Sequence, residues 1–179
     1  FSYTSIKSLS IPPSIEELKE GWCRKTPKLT HVSIPSENKN FSLIDEKFIV
    51  GKSNKNDDKF DVLLFANRDI EKAEIPSYIK QIHSFAFCQC KNLSEIKFSE
   101  DSELQIIHKN AFCYSSIKSL NIPPKVDELK DGWCKNTLKL NHVSVSPKNK
   151  CYSCIDNKFI FAKSDVKSDD FDLLVFGCR

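Results

Sequence analysis

Apolar residues recur along this chain in a fixed triplet, spaced apolar-x-x-apolar-x-apolar and often followed by proline. Six copies can be named: Ile6/Leu9/Ile11, Leu29/Val32/Ile34, Ile70/Ala73/Ile75, Leu93/Ile96/Phe98, Ile117/Leu120/Ile122 and Leu140/Val143/Val145. The closing apolar-x-apolar pair is short and rich in β-branched residues, which predicts a strand of three or four residues. Proline at positions 12, 76 and 123 then ends the strand where a ladder hydrogen bond is no longer needed. A second apolar pair follows at constant offset: Ile15/Leu18, Ile79/Ile82, Leu104/Ile107 and Val126/Leu129. Next come a small residue, an aromatic and a cysteine, at Gly21-Trp22-Cys23, Ala86-Phe87-Cys88, Ala111-Phe112-Cys113 and Gly132-Trp133-Cys134.

The triplets are separated by 23, 41, 23, 24 and 23 residues, and four consecutive units make a longer period of 111. On that longer scale residues 1–68 align without a gap on residues 112–179, with 38 of 68 positions identical. A unit of 23 residues cannot bury its apolar positions alone, because half of each apolar face would stay in water; stacked units bury them against their neighbours. The expected fold is therefore one repeat solenoid, mainly β with short turns or helical segments, whose equivalent strands stack in parallel. Its units lie near 1–26, 27–68, 69–90, 91–115, 116–137 and 138–179.

The run I-x-x-L-x-I-P, then I-x-x-I, then A-F-x-x-C, resembles the BspA-type leucine-rich repeat, and the resemblance covers essentially the whole chain. The stretch from Phe41 to Ile82 is similar in style to the BspA-like surface antigens of trichomonad parasites. The resemblance implies a leucine-rich-repeat fold and a surface-associated or secreted adhesion or recognition protein, an implication by association only. The second and sixth units depart from the family pattern, each being 18 residues longer than its neighbours. These insertions, roughly Asn38 to Arg68 and Asn149 to Arg179, read as extra strands at Phe41–Ile44, Lys47–Val50 and Phe60–Phe65. Asp45-Glu46 and Asp156-Asn157 fall at the tight turn between the first two. The insertions are expected to form ridges beside the strand face, with the polar loops Lys52–Lys59 and Lys163–Asp170 as surface.

With 40% hydrophobic and 28% charged residues the chain is expected to fold. Its 27 basic and 24 acidic side chains are interspersed, which argues against nucleic acid as a partner. No run of about 18 apolar residues is present, so this segment is not expected to insert into a membrane. Phe1 aligns with Phe112 inside a unit and Arg179 with Arg68 at a unit's end. The natural chain is therefore expected to continue with something like Asp69-Ile-Glu-Lys-Ala-Glu-Ile-Pro, and the excised segment to be less soluble than a capped array.

Candidate chemistry is sparse. Cys151-Tyr-Ser-Cys154 has the spacing of a zinc half-site or redox pair, but the other long copy carries Asn40 and Leu43 there and no second half-site exists. Cys23, Cys88, Cys113 and Cys134 share one repeat position and are expected to form a buried ladder; a disulfide between rungs requires Cα atoms within roughly 7 Å. His31 and His142 are copies of one position, as are His83 and His108, which suits scaffold better than a single active site. The clusters Asp57-Asp58-Lys59-Phe60-Asp61 and Asp169-Asp170-Phe171-Asp172 lack the spacing, turn glycine and final glutamate of a calcium loop and read as solvated carboxylates. Trp22 and Trp133 align with Phe87 and Phe112, which points to the core. Asn40-Phe-Ser42 and Asn92-Leu-Ser94 match the glycosylation pattern. No residues are assigned as catalytic, cofactor-binding or metal-ligating, and no cofactor is expected. The sequence thus predicts a non-enzymatic module that binds a protein or other macromolecule; the resemblance implies cell-surface adhesion or recognition, with an intracellular protein–protein interaction scaffold as the alternative.

Overall fold

The computed structural model describes residues 1–165 and 167–178; Val166, in the second polar loop, and Arg179, the counterpart of Arg68, lie outside them. Every regular element among the described residues is a strand, so the stretches left open as turns or helical segments are turns. The first unit contributes β1 (Ser8–Ser10), and the second contributes β2 (His31–Ser33) followed by β3 (Phe41–Ile44), β4 (Phe48–Gly51) and β5 (Val62–Ala66). The third, fourth and fifth units each give two strands: β6 (Lys72–Ile75) and β7 (Gln81–Ile82), β8 (Glu95–Phe98) and β9 (Ile106–Ile107), β10 (Ser119–Ile122) and β11 (Glu128–Leu129). The sixth gives β12 (His142–Val145), then β13 (Tyr152–Ile155), β14 (Phe159–Ala162) and β15 (Leu173–Gly177).

The predicted triplets form the first side of the solenoid. β1 pairs with β2, β6 with β8 and β10 with β12, all parallel and in register by repeat position, as in Ala73 opposite Ile96. The alternation expected of a half-buried strand is present: Ala73, Ile75, Leu120 and Ile122 are buried, while Lys72, Glu74, Ser119 and Asn121 face water. Each proline-terminated strand turns the same way, with Ile15, Ile79 and Val126 donating to the carbonyls of Pro12, Pro76 and Pro123. Three of the four second apolar pairs contribute to the other side, through β7, β9 and β11, which run parallel with the insertion strand β5 while β4 and β3 extend the sheet antiparallel; Ile15/Leu18 forms no strand.

The insertion is three strands, as read from the sequence, and its turn is the one predicted. Asp45 and Glu46 have φ of 50° and 54°, and Asp156 and Asn157 have 55° and 54°, the double left-handed geometry of a two-residue hairpin turn. Lys47 and Lys158 donate to Ile44 and Ile155 to close them.

The placement of the hairpin differs from the expectation of ridges beside the strand face. In the first copy it is a wall across the solenoid. Ile49 and Phe65 pack with Ile11, Leu29 and Val32 in one core, while Phe48, Val50 and Leu63 pack with Ile82, Phe87 and Leu93 in another. Adjacent residues of one strand point to opposite faces, so a strand buried on both faces must be apolar without alternation; Phe48-Ile49-Val50 and Val62-Leu63-Leu64-Phe65-Ala66 satisfy that. Ridges on the surface would have alternated.

In the second copy the equivalent hairpin is covered on one face. Ile160 is fully buried and Phe176 packs on Trp133, but Phe159, Leu173 and Leu174, counterparts of the buried Phe48, Val62 and Leu63, are exposed.

Aromatic rings continue from coil to coil. Phe48, Phe87, Phe112, Trp133 and Phe176 follow one another at centroid separations of 6.2, 5.2, 6.1 and 5.1 Å, and Trp22 stacks on Phe65 at 5.5 Å in the smaller core. Trp133 is buried and Trp22 half-buried. Phe112→Ala is expected to cost about 3–5 kcal/mol by urea denaturation, because the rings on both sides hold the cavity open. Leu138→Ala, at a residue 68% exposed, should stay within about 0.5 kcal/mol.

Candidate functional site

The hairpin wall opens the strand face of the solenoid. β1 and β2 form one parallel pair and β6 and β8 another, and β2 and β6 are not hydrogen-bonded to each other. The hairpin turn lies there instead: Asn67 donates its amide to Lys47 O at 2.9 Å and its side-chain amide to Glu46 O at 2.6 Å. The result is a groove of about 800 Å³ whose walls are His31–Ile34 on one side and Asp69–Lys72 on the other, with Asp45 and Lys47 at its floor. Outward residues beside it are short or charged: Ser8, Ser10 and Ser33 on the first pair of strands, Lys72, Glu74 and Lys97 on the second. Glu95 pairs with Lys72 at 3.3 Å and Lys97 at 3.4 Å, and the two ammonium groups hold its carboxyl below the usual carboxylate range.

Buried asparagines hold the insertions to the preceding coil. Asn38 accepts from the amides of Asn40 and Phe41 and donates to Pro12 O at 3.1 Å; Asn149 accepts from Cys151 and Tyr152 and donates to Pro123 O at 2.8 Å. The acidic loops also differ from a purely solvated reading. Asp57, Asp58, Asp169 and Asp170 are exposed, whereas Asp61 is buried and clamps the amide and hydroxyl of Ser53 at 2.9 and 2.8 Å. Asp172 clamps Ser164 identically, at 2.9 and 2.7 Å. Burial pushes the Asp61 carboxyl up, but the Ser53 amide and hydroxyl and the Lys80 ammonium outweigh it, leaving it below the usual range. A depressed folded-state value means the clamp stabilises above the unfolded carboxylate value and is lost as pH falls through the folded one.

Arg68 was legible only as the end of an insertion, and the structure buries it. Its guanidinium donates to Ala86 O at 2.8 Å, Phe85 O at 3.4 Å and Cys23 O at 3.5 Å, lies 3.3 Å from Cys23 Sγ, and covers the Phe65 ring at 4.3 Å. No carboxylate among the described residues lies within ion-pair distance of it; backbone carbonyls and thiols do the solvation. This guanidinium also interrupts the expected cysteine ladder. Cys23, Cys88, Cys113 and Cys134 are all buried, but Cys23 sits with Arg68 in the smaller core, Cys88 and Cys113 form a cluster of their own with Phe85, and Cys134 belongs to the larger core.

Of the remaining sequence candidates, His83 and His108 lie on adjacent coils with ring centroids 5.2 Å apart and planes tilted by 34°, with His108 Nε2 3.1 Å from Gln81 Oε1, and burial pushes both imidazoles down. His31 and His142 are exposed on equivalent strands, His31 lining the groove. Cys154 donates to Val143 O at 3.2 Å and Cys151 is half-buried. Among the described residues no three His, Cys, Asp or Glu side chains are grouped as a metal site, and no helix is long and apolar enough to cross a membrane. Asn92 is exposed, and Asn40 is half-buried, donating to Ile15 O at 3.4 Å.

The chain belongs to the BspA-type leucine-rich-repeat family: the BspA type leucine rich repeat region matches it in six copies over residues 1–47 and 59–171. Repeat modules of this family are in general non-enzymatic and bind macromolecules. No curated protein matches the chain in sequence. Its fold is similar to that of a leucine-rich repeat protein from Eubacterium ventriosum, at TM-score 0.68 and 22% identity over 82% of this chain. It is similar also to the pneumococcal vaccine antigen PcpA (TM-score 0.59, 18% identity over 80%) and to a leucine rich cell surface protein from Faecalibacterium prausnitzii (TM-score 0.53, 15% identity over 89%). The chain spans 38%, 40% and 43% of those three chains.

Two outcomes are expected at the site's supports. Arg68→Lys should destabilise the fold by about 3 kcal/mol in urea with all thiols reduced, since a lysine cannot reach the carbonyls that the planar fork satisfies. Asp61→Asn should flatten the loss of stability on acidification below about pH 4, read from thermal melts across pH; an unchanged acid limb would remove Asp61 from the account.

Proposed function

We propose that this chain is a non-enzymatic recognition module, exposed at a cell surface, that binds a protein or other macromolecule through its parallel-strand face. The observation that carries the reading is the opened groove between β2 and β6, set in a continuous run of outward-facing short and charged side chains. Extended area with an open groove suits a macromolecular partner better than a small substrate. The similarity in fold to a pneumococcal vaccine antigen and to a Faecalibacterium cell surface protein supports the surface setting. An intracellular scaffold is the second reading, favoured by the use of five buried cysteines as packing side chains.

Antibody staining of intact and permeabilised cells of the source organism separates the two. Staining of intact cells is expected; signal confined to permeabilised cells would transfer the function to the scaffold reading. In chemical cross-linking on those cells, Ser33→Arg with Glu74→Arg, both at exposed positions flanking the groove, should lower capture of the partner about tenfold while the melting curve is unchanged. Undiminished capture would place binding on another face.

A further inference from the structure

The sulfurs of Cys88 and Cys113 face each other across two adjacent coils, 2.7 Å apart and inside van der Waals contact. They are held there by the stack itself. Phe87 N donates to Ala111 O at 2.8 Å, Gln89 N to Cys113 O at 2.9 Å, and the Phe87 and Phe112 rings lie 5.2 Å apart and 16° from parallel. A disulfide requires a separation near 2.05 Å, so the sulfurs need close by only roughly 0.7 Å. Of the other three buried thiols, Cys90 donates to Asn67 O, Cys23 lies against Arg68 and Cys134 packs in the larger core.

We infer that Cys88 and Cys113 are a peroxide-sensitive dithiol, oxidised to a disulfide that staples the third coil to the fourth. The pair lies outside both main cores, in a small cluster with Phe85. Phe85 is held at φ 66°, a left-handed conformation costly for a bulky side chain, and Arg24 covers its ring at 5.4 Å. The roof leaves the sulfurs almost no exposure, which selects for a small oxidant such as hydrogen peroxide over a bulky disulfide like oxidised glutathione.

The two sulfurs have different roles. Contact with Cys113 lowers the Cys88 thiol against the opposing effect of burial, the same contact drives Cys113 upward, and the Arg68 and Arg24 guanidiniums favour a thiolate on either sulfur. Cys88 thiolate attacks one peroxide oxygen, the O–O bond breaks, and hydroxide leaves, taking a proton to become water; Cys88 becomes a sulfenic acid. Cys113 sulfur then attacks Cys88 sulfur, the S–S bond forms, the S–O bond breaks, and the hydroxyl departs with the Cys113 proton as a second water. Two thiols lose two electrons and two protons, and one peroxide is reduced to two waters. The closed loop is one coil of the solenoid, so the cross-link removes unfolded-state freedom equivalent to a melting-temperature rise on the order of 10 °C.

The experiment treats the folded chain with hydrogen peroxide, blocks remaining thiols with N-ethylmaleimide, and maps linked peptides by mass spectrometry. A Cys88–Cys113 cross-link is expected in higher yield than any pair involving the half-buried Cys151, Cys154 or Cys178, together with the melting shift. Cys113→Ser should halt at the sulfenic acid, trapped on Cys88 by dimedone, with no melting shift; the wild-type map decides the matter if that variant does not fold. Recovery of Cys88 and Cys113 as maleimide adducts while Cys151 oxidises, or a cross-link formed only in denaturant, would overturn the assignment.

Discussion

The structure depends on a wall that is apolar on both faces. β3, β4 and β5 cross the solenoid between the second and third coils, and the two cores meet on opposite sides of it: Ile49 and Phe65 complete the first, Phe48, Val50 and Leu63 the second. Neither core is closed without the wall, because the coils on either side each present an apolar face that only another apolar face can cover. The wall also supplies the rung that the long unit lacks. Phe65 meets Trp22, Phe48 meets Phe87, and β5 pairs with β7 as though it were the second strand of an ordinary coil.

The wall has a cost on the opposite side of the solenoid, and that cost creates the site. Room for three strands in the sheet of short strands forces β2 and β6 apart, and the Asp45-Glu46 turn fills only part of the gap. The same offset leaves a hole in the column of cysteines, which Arg68 occupies with its two terminal nitrogens facing carbonyls and thiols and its plane over the Phe65 ring. Groove and buried guanidinium are thus two consequences of one insertion.

Much of this was legible in the sequence because stacking imposes period. The apolar triplets, the prolines after them, the hairpin turns at Asp45-Glu46 and Asp156-Asn157 and the aromatic column are local features repeated at fixed spacing. What the sequence concealed was how the long units stack. Unbroken runs such as Val62 to Ala66 do signal two-sided burial, but a repeat count alone does not say whether such a segment lies across the stack or beside it. Arg68 and Asp61 carry charge in polar surroundings of sequence, and only the three-dimensional offset buries them. The four aligned cysteines suggested one column; the wall splits it and leaves two sulfurs in contact.

The most direct test compares one repeat position in its two settings, within the 179-residue chain. Phe48 faces the third coil and is buried, whereas its counterpart Phe159 is 37% exposed. Urea unfolding of Phe48→Ala should show a loss of about 3–5 kcal/mol and that of Phe159→Ala about 1 kcal/mol or less, while Ile49→Ala and Ile160→Ala, both buried, should cost alike. Equal losses at Phe48 and Phe159 would contradict the two-faced wall and, with it, the origin of the groove.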